Sequence, residues 1–259
     1  SPRSHGAPAN AVPFDPRRMD ALAQVAAGVA PAFSDWLTVI RGQAGRLLDA
    51  ADHDATTRES LNQIFTAAEK ATGVLRQMLM LSGQQTLHVE VVELHPLINA
   101  LAAVLRRVLG GAISLELRLA ADLPPIRADP AMLEQVLLVL AHNARDAMPA
   151  GGRFVVKTEV VDFSAGVPPG APDAAPGAYV ALQVDDTGCG IAPEILPRVF
   201  EPFFTTKPGG RTAGLGLAMV FGIVRQHRGW IAVDSVVGAG TSFKIFLPAA
   251  PPGPVTRAG

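Results

Sequence analysis

The residues best suited to chemistry lie in four short segments. The first, His142 to Met148 (HNARDAM), ends a predicted helix. Asn143 and Ala147 are four apart and share one face, with Asp146 beside them. An Asn carbonyl is a hard oxygen donor suited to Mg²⁺, an ion that keeps waters and substrate phosphates as its other ligands. The second, Asp185 to Gly190 (DDTGCG), directly follows a predicted strand. A carboxylate there can accept a hydrogen bond from an exocyclic amine, and its two glycines let a ligand approach the backbone closely. The third, Glu201 to Lys207 (EPFFTTK), lies inside a long segment from Ile191 to Ala213. Its adjacent phenylalanines read as a loop anchor, and Lys207 and Arg211 are cations suited to phosphate. The fourth, Gly214-Leu215-Gly216-Leu217, opens a helix, where unpaired N–H groups and the helix dipole favour an anion. Taken singly, these are a polar helix end, a Gly-rich turn, a surface loop and a flexible helix entry.

Two kinds of pattern must position them. From about Met19 to Ser82, Leu22, Val25, Val29, Phe33, Trp36, Ile40, Ala44 and Leu47 recur at three- and four-residue steps, and Leu61, Ile64, Ala68, Leu75, Met78 and Leu79 repeat the helical pattern. That spacing predicts two amphipathic helices joined by a polar turn at Asp52-His53-Asp54. One hairpin buries both stripes poorly, so pairing with a second into a four-helix bundle is the expected solution. The alternative is packing against the rest of this chain. After the break at Ser82 to Gln85, strands alternate with helices: strand Val89 to Glu93, helix Leu94 to Leu109, and strand Ile113 to Leu119. Asp129 as N-cap and Pro130 as first helical residue open a helix to about Met148. Strands Phe154 to Val161 and Tyr179 to Val184 flank a Pro/Gly/Ala-rich loop, Ser164 to Gly177; a helix from Gly216 to His227 and strands Trp230 to Ser235 and Ser242 to Leu247 follow. The fold class expected is α+β, with a helical hairpin followed by a two-layer α/β sandwich. The divisions are a lead-in at 1–18, the hairpin at 19–84, the mixed domain at 85–248 and a tail at 249–259.

In this order and spacing the four segments resemble the N, G1, F and G2 boxes of sensor histidine kinases. These kinases share an ATPase superfamily with gyrase, MutL and the ninety-kilodalton heat-shock chaperone. The resemblance spans roughly Val89 to Leu247 and implies a Bergerat-type ATP site. By it, Asn143 binds Mg²⁺ and phosphate, and Asp186 recognises adenine. Gly188 and Gly190 shape the pocket, Ile191 to Ala213 form an ATP lid, and Lys207 contacts phosphate. Gly214, Leu215 and Gly216 close the lid onto the triphosphate, and Arg145, with Asp146 beside it, lies where a basic residue often meets phosphate. Cys189 stands at a variable position of its box and reads as incidental.

The hairpin resembles the family's dimerisation and phospho-acceptor domain, but its H box is broken. Residues 28–40 (GVAPAFSDWLTVI) align with a common version, G-(I/V)-A-H-D-F-N-N-x-L-T-V-I. The acceptor histidine falls on Pro31 and its acidic neighbour on Ala32. The acceptor is an imidazole nucleophile assisted by that carboxylate. Proline has no side-chain nucleophile, and inside a helix it costs about 3 kcal/mol and kinks it. Val139, one turn before Asn143, stands where ATP-hydrolysing relatives carry a glutamate base, which argues against a dedicated ATPase. His53, His88, His95, His142 and His227 all lie outside an H-box context and read as structural or exposed.

Composition sets outer bounds. The chain has 259 residues, 49% hydrophobic and 17% charged, which fits a folded chain. A net charge of -1 gives no general attraction to nucleic acid or to an anionic membrane. One cysteine excludes an internal disulfide and a multi-cysteine metal site. No apolar run reaches membrane-spanning length, and a cytoplasmic location is expected. The expected function is an ATP- and Mg²⁺-binding, histidine-kinase-like protein of a phosphorelay that does not phosphorylate itself. The alternatives are a kinase that phosphorylates a partner's histidine in trans, and a dimeric adaptor that binds no nucleotide. Expected partners are a second copy or a related chain through the hairpin, and a response-regulator receiver domain.

Overall fold

The computed structural model describes residues 16–50, 53–81, 87–166, 174–206 and 214–250. The break at Ser82 to Gln85, the lid cations Lys207 and Arg211, and most of the lead-in and tail lie outside them. The chain divides into two compact units. One holds Asp15–Gln85 and Glu201–Met219, the other Thr86–Phe200 and the chain from Val220 onward.

The first unit contains helices α1 (Pro16–Asp49) and α2 (Ala55–Leu81), packed as a hairpin. α1 starts three residues earlier than periodicity indicates, with Pro16 at its first position, where a missing N–H costs nothing. Pro31 lies in its interior, yet α1 continues as one helix to Asp49. Asp54 starts α2: its Oδ1 accepts from the Thr57 N–H at 2.7 Å. That contact, led by the Thr57 backbone donor, holds the Asp54 carboxyl below the ordinary aspartate value. Small residues bring the helices together. Ala44 and Ala68 are buried, and the Phe65 ring lies 3.6 Å from the space where Gly45 would carry a Cβ. The predicted apolar stripe divides here: Ala44 turns inward, while Phe33, Trp36, Ile40 and Leu47 stay exposed.

The second unit is built on a five-stranded sheet, in the order β2 (Ile113–Arg118), β4 (Gly152–Asp162), β5 (Ala178–Asp186), β7 (Gly240–Pro248) and β6 (Trp230–Val236). β2 and β4 run parallel and the other pairs antiparallel. β1 (Glu90–Val92) pairs with β3 (Ile126–Ala128), a three-residue strand too short for periodicity to reveal. Alternation along each strand separates two faces. Val156, Val184, Leu182, Phe243 and Ile245, register neighbours across β4, β5 and β7, are buried on one face. One apolar stripe of α3 (Leu94–Leu109), with Ile98, Leu101 and Leu105, and one of α4 (Pro130–Ala147), with Leu133, Val136 and Leu140, are buried too, and α3 packs on α4 and β2. The other face carries a polar row, with Lys157 bonded to Asp185 at 2.6 Å, Gln183 to Asp185 and Ser242, and Lys244 to Glu159. It continues into an aromatic cluster of Phe163, Tyr179, Trp230 and Phe246. The fold is α+β, a helical region followed by a mixed sheet with its helices.

Candidate functional site

α4 is fixed at its start by one buried carboxylate. Asp129 Oδ1 accepts from the N–H groups of Ala131 and Met132, and its Oδ2 accepts from the N–H of His88 at 3.0 Å. The Asp129 N–H donates to His227 Nε2 at 2.9 Å, so the ring's proton sits on Nδ1 and is given to the Ile223 carbonyl. His227 is buried and structural, tying α4 to the C-terminal end of α5 (Gly216–Gln226). With its start fixed, α4 buries Leu133, Val136, Leu137, Leu140 and Ala144. Val139, Asn143 and Ala147, spaced four apart, form a half-buried stripe that the core does not use.

The loop after β5 is seated on the last turn of α4. The Cys189 N–H donates to the Ala147 carbonyl at 3.0 Å. A Cβ on Gly188 would stand 2.7 Å from that of Ala147, so only glycine allows the approach. Gly190 adopts φ +72° and lies against the Val236 carbonyl, where a side chain would collide. The fold thereby brings the segment of Asn143 beside the segment of Asp186, 43 residues later in the sequence.

Asp186 is the last residue of β5, two residues beyond the predicted strand end. Strand alternation therefore sends Asp185 and Asp186 to opposite faces. Burial opposes ionisation of Asp185, but its bonds to Lys157, Ser242 and Gln183 outweigh burial and hold its carboxyl below the ordinary aspartate value. Asp186 is raised above that value: burial dominates, the backbone donors of Gly188 and Thr241 offset part of it, and the neighbouring Asp185 charge adds to it. Both donors reach one oxygen, Oδ1, at 2.8 and 3.3 Å. Among the described residues no hydrogen bond reaches Oδ2, which leaves an acceptor for a ligand donor. Thr241 carries no signal in sequence, being one polar residue on a strand 55 positions away.

The other expected residues are placed as follows. Arg145 bonds to Asp146 at 3.0 Å on the exposed end of α4, so both are near Asn143, and their charges are paired with each other. Cys189 is a free, exposed thiol. In the first unit, Gly214 adopts φ +66° against the Phe203 carbonyl group, Leu215 is buried and Gly216 begins α5. Of the adjacent phenylalanines, Phe203 is half exposed in a left-handed conformation (φ 65°) and Phe204 is half-buried. The fully buried aromatic of this stretch is Phe200, in the other unit, packed against Phe221 and Phe243. Among the described residues no cluster of three or more His, Cys, Asp or Glu side chains forms a metal cage. A lone Asn143 oxygen fits a cation whose other ligands arrive with a phosphate ligand and water.

Residues 128–251 match the family described as histidine kinase-, DNA gyrase B- and HSP90-like ATPase. The match begins at the end of β3 and takes in α4, β4, β5, α5, β6 and β7. It is 40% identical over 232 residues to sensor kinase CckA of Brucella abortus, an alignment covering 90% of this chain and 25% of that protein. It is 34% identical to sensor histidine kinase ZraS of Escherichia coli K12, over 89% of this chain and 46% of that one. The full-length structure of ShkA in complex with AMPPNP superposes with a TM-score of 0.69 at 25% identity, covering 88% of this chain and 46% of that chain. The chain thus spans a quarter to a half of these relatives' lengths, and it carries the histidine kinase-like ATPase domain of two-component sensor kinases. No described helix is long and apolar enough to cross a membrane.

Proposed function

We propose that the chain binds Mg²⁺-ATP at the α4–β5 site and acts as a nucleotide-responsive signalling pseudokinase that does not phosphorylate itself. The observation that carries this reading is the seating of the Gly188–Cys189 loop on Ala147, which sets Asn143 and Asp186 in one locality. Asp186 Oδ2 accepts from the adenine amine, and Gly188 and Gly190 leave room for the base. Asn143 provides an oxygen for Mg²⁺, which supplies charge neutralisation of the phosphates when bound. Arg145, released from Asp146, adds positive charge. Val139 holds no proton and activates no water. At the acceptor position Pro31 offers no nucleophile, and Ala32 offers no base. The hairpin joins a second copy or a related chain and receives a response-regulator domain, in the cytoplasm.

A second reading is favoured by the intact Asn143, Asp186, Gly188 and Gly190: transfer of phosphate to a histidine on a partner chain. The deciding experiment incubates the protein with Mg²⁺ and γ-labelled ATP, with binding measured by calorimetry on the same sample. Binding without acid-labile, base-stable label is the expected result. Label on this chain overturns the pseudokinase reading. Label only on an added histidine protein selects the second reading, and failure to bind ATP removes both.

A further inference from the structure

A row of three residues crosses the sheet beside the proposed adenine site. Asp186 on β5 is in register with Thr241 on β7, and Thr241 with Ser235 on β6. The Ser235 hydroxyl lies within hydrogen-bond distance of three groups: the Ile191 N–H at 2.8 Å, the Gly240 carbonyl at 2.9 Å and Thr241 Oγ1 at 2.9 Å. A hydroxyl has one proton and two lone pairs. The carbonyl can only accept and the amide can only donate, so Ser235 gives its proton to Gly240 and accepts from Ile191. Its second lone pair takes the proton of Thr241. All three capacities are then filled, and the direction of every bond is fixed. The Thr241 N–H in turn donates to Asp186 Oδ1.

We propose that Ser235 is a positioning residue for nucleotide recognition. It holds Ile191, the residue after Gly190, and Thr241 in one fixed geometry, and thereby keeps Asp186 aimed at the base. Ser235 itself touches no ligand. It acts through Thr241, whose hydroxyl proton is directed to Ser235 and whose amide proton is directed to Asp186. The inference rests on the reading of Asp186 as the adenine-binding carboxylate. Losing Ser235 leaves the Ile191 amide and the Thr241 hydroxyl without their partner, and Asp186 loses the support of a fixed Thr241.

The test compares ATP with ITP, which carries a carbonyl in place of the amine. Ser235→Ala is expected to weaken ATP binding about tenfold while changing ITP binding little, so that the preference between them narrows. Ser235→Thr, which restores the hydroxyl, is expected to recover most of the preference. Ser235→Cys, similar in size and a poor hydrogen-bonding partner, should behave like alanine and serves if the alanine variant does not fold. Equal losses for ATP and ITP would reduce Ser235 to a structural residue and overturn the proposal. So would an unchanged preference in a wild type that itself prefers ATP. A wild type that binds ATP and ITP equally, or neither, instead defeats the reading of Asp186, and the proposal with it.

Discussion

The hairpin and the sheet unit use apolar residues in opposite ways. Around the sheet, Phe154, Leu182, Ile245, Leu133 and Ile98 are all buried within the unit. In α1 and α2, Ala44 and Ala68 are the buried residues among those whose side chains are described, while Phe33, Trp36, Val39, Ile40, Leu47 and Ile64 remain exposed. A self-contained core holds α4 and β5 in place by itself, whereas a hairpin with its large side chains outside offers an apolar face for another surface. A change in the hairpin at Pro31 or Ala32 is therefore expected to leave the fold of the sheet unit intact.

This contrast breaks if a substitution in one region disturbs the property of the other. Asp186→Asn should have the largest effect, lowering ATP affinity by about a hundredfold, since hydrogen bonds to charged groups carry about 1.5–3 kcal/mol. Oligomeric state measured by light scattering should not change. Trp36→Ala is the converse. Removal of a large apolar side chain should weaken self-association by about 2 kcal/mol, read by analytical ultracentrifugation, with ATP binding unchanged. Asp129→Ala sharpens the comparison within the sheet unit. It removes the α4 cap and the acceptor for the His88 N–H, and should destabilise that unit by about 1–2 kcal/mol in thermal unfolding.

The smallest expected effect is a pH dependence that separates binding from folding. Asp186 is raised above 3.8, so its ionised form, the proposed acceptor of the adenine amine, is lost on acidification earlier than for an ordinary aspartate. Its raised value means that protonation favours the folded state. Asp185 is lowered, so the stability from its partners is present above 3.8 and is lost only as pH falls through its lower folded value. Between neutrality and that range, calorimetry should find ATP affinity falling while circular dichroism still reports folded protein. Loss of both signals together would contradict the opposite shifts.

Much of this was legible in the sequence because its signals are local. Asp129-Pro130 marks the start of α4 through cap chemistry, and three-to-four spacing reveals both hairpin helices. Spacing does not tell which apolar residues one neighbour can cover, so Phe33 and Trp36 could not be separated from Ala44. The Asp185-Asp186 pair looked like a turn because acidic residues rarely extend a strand. Its strand character comes from pairing with Val155 and Phe154 on β4, a tertiary effect. The links from Ser235 to Ile191, from Thr241 to Asp186 and from His227 to Asp129 join positions 44, 55 and 98 residues apart, beyond any local pattern.

The aromatic cluster on the far face of the sheet gives the molecule a built-in optical label. The chain has two tryptophans and one tyrosine. Trp230 stacks on Phe246 at 4.7 Å and meets Tyr179 edge-on at 4.7 Å, whereas Trp36 is 59% exposed in the hairpin. Light absorbed by Tyr179 is expected to pass to Trp230, whose packed indole should emit toward the blue, while Trp36 should emit toward the red in the single chain and shift toward the blue when a second surface covers it. The colour of Trp36 should thus report association of the hairpin, and that of Trp230 the melting of the sheet, in one cuvette without added dye.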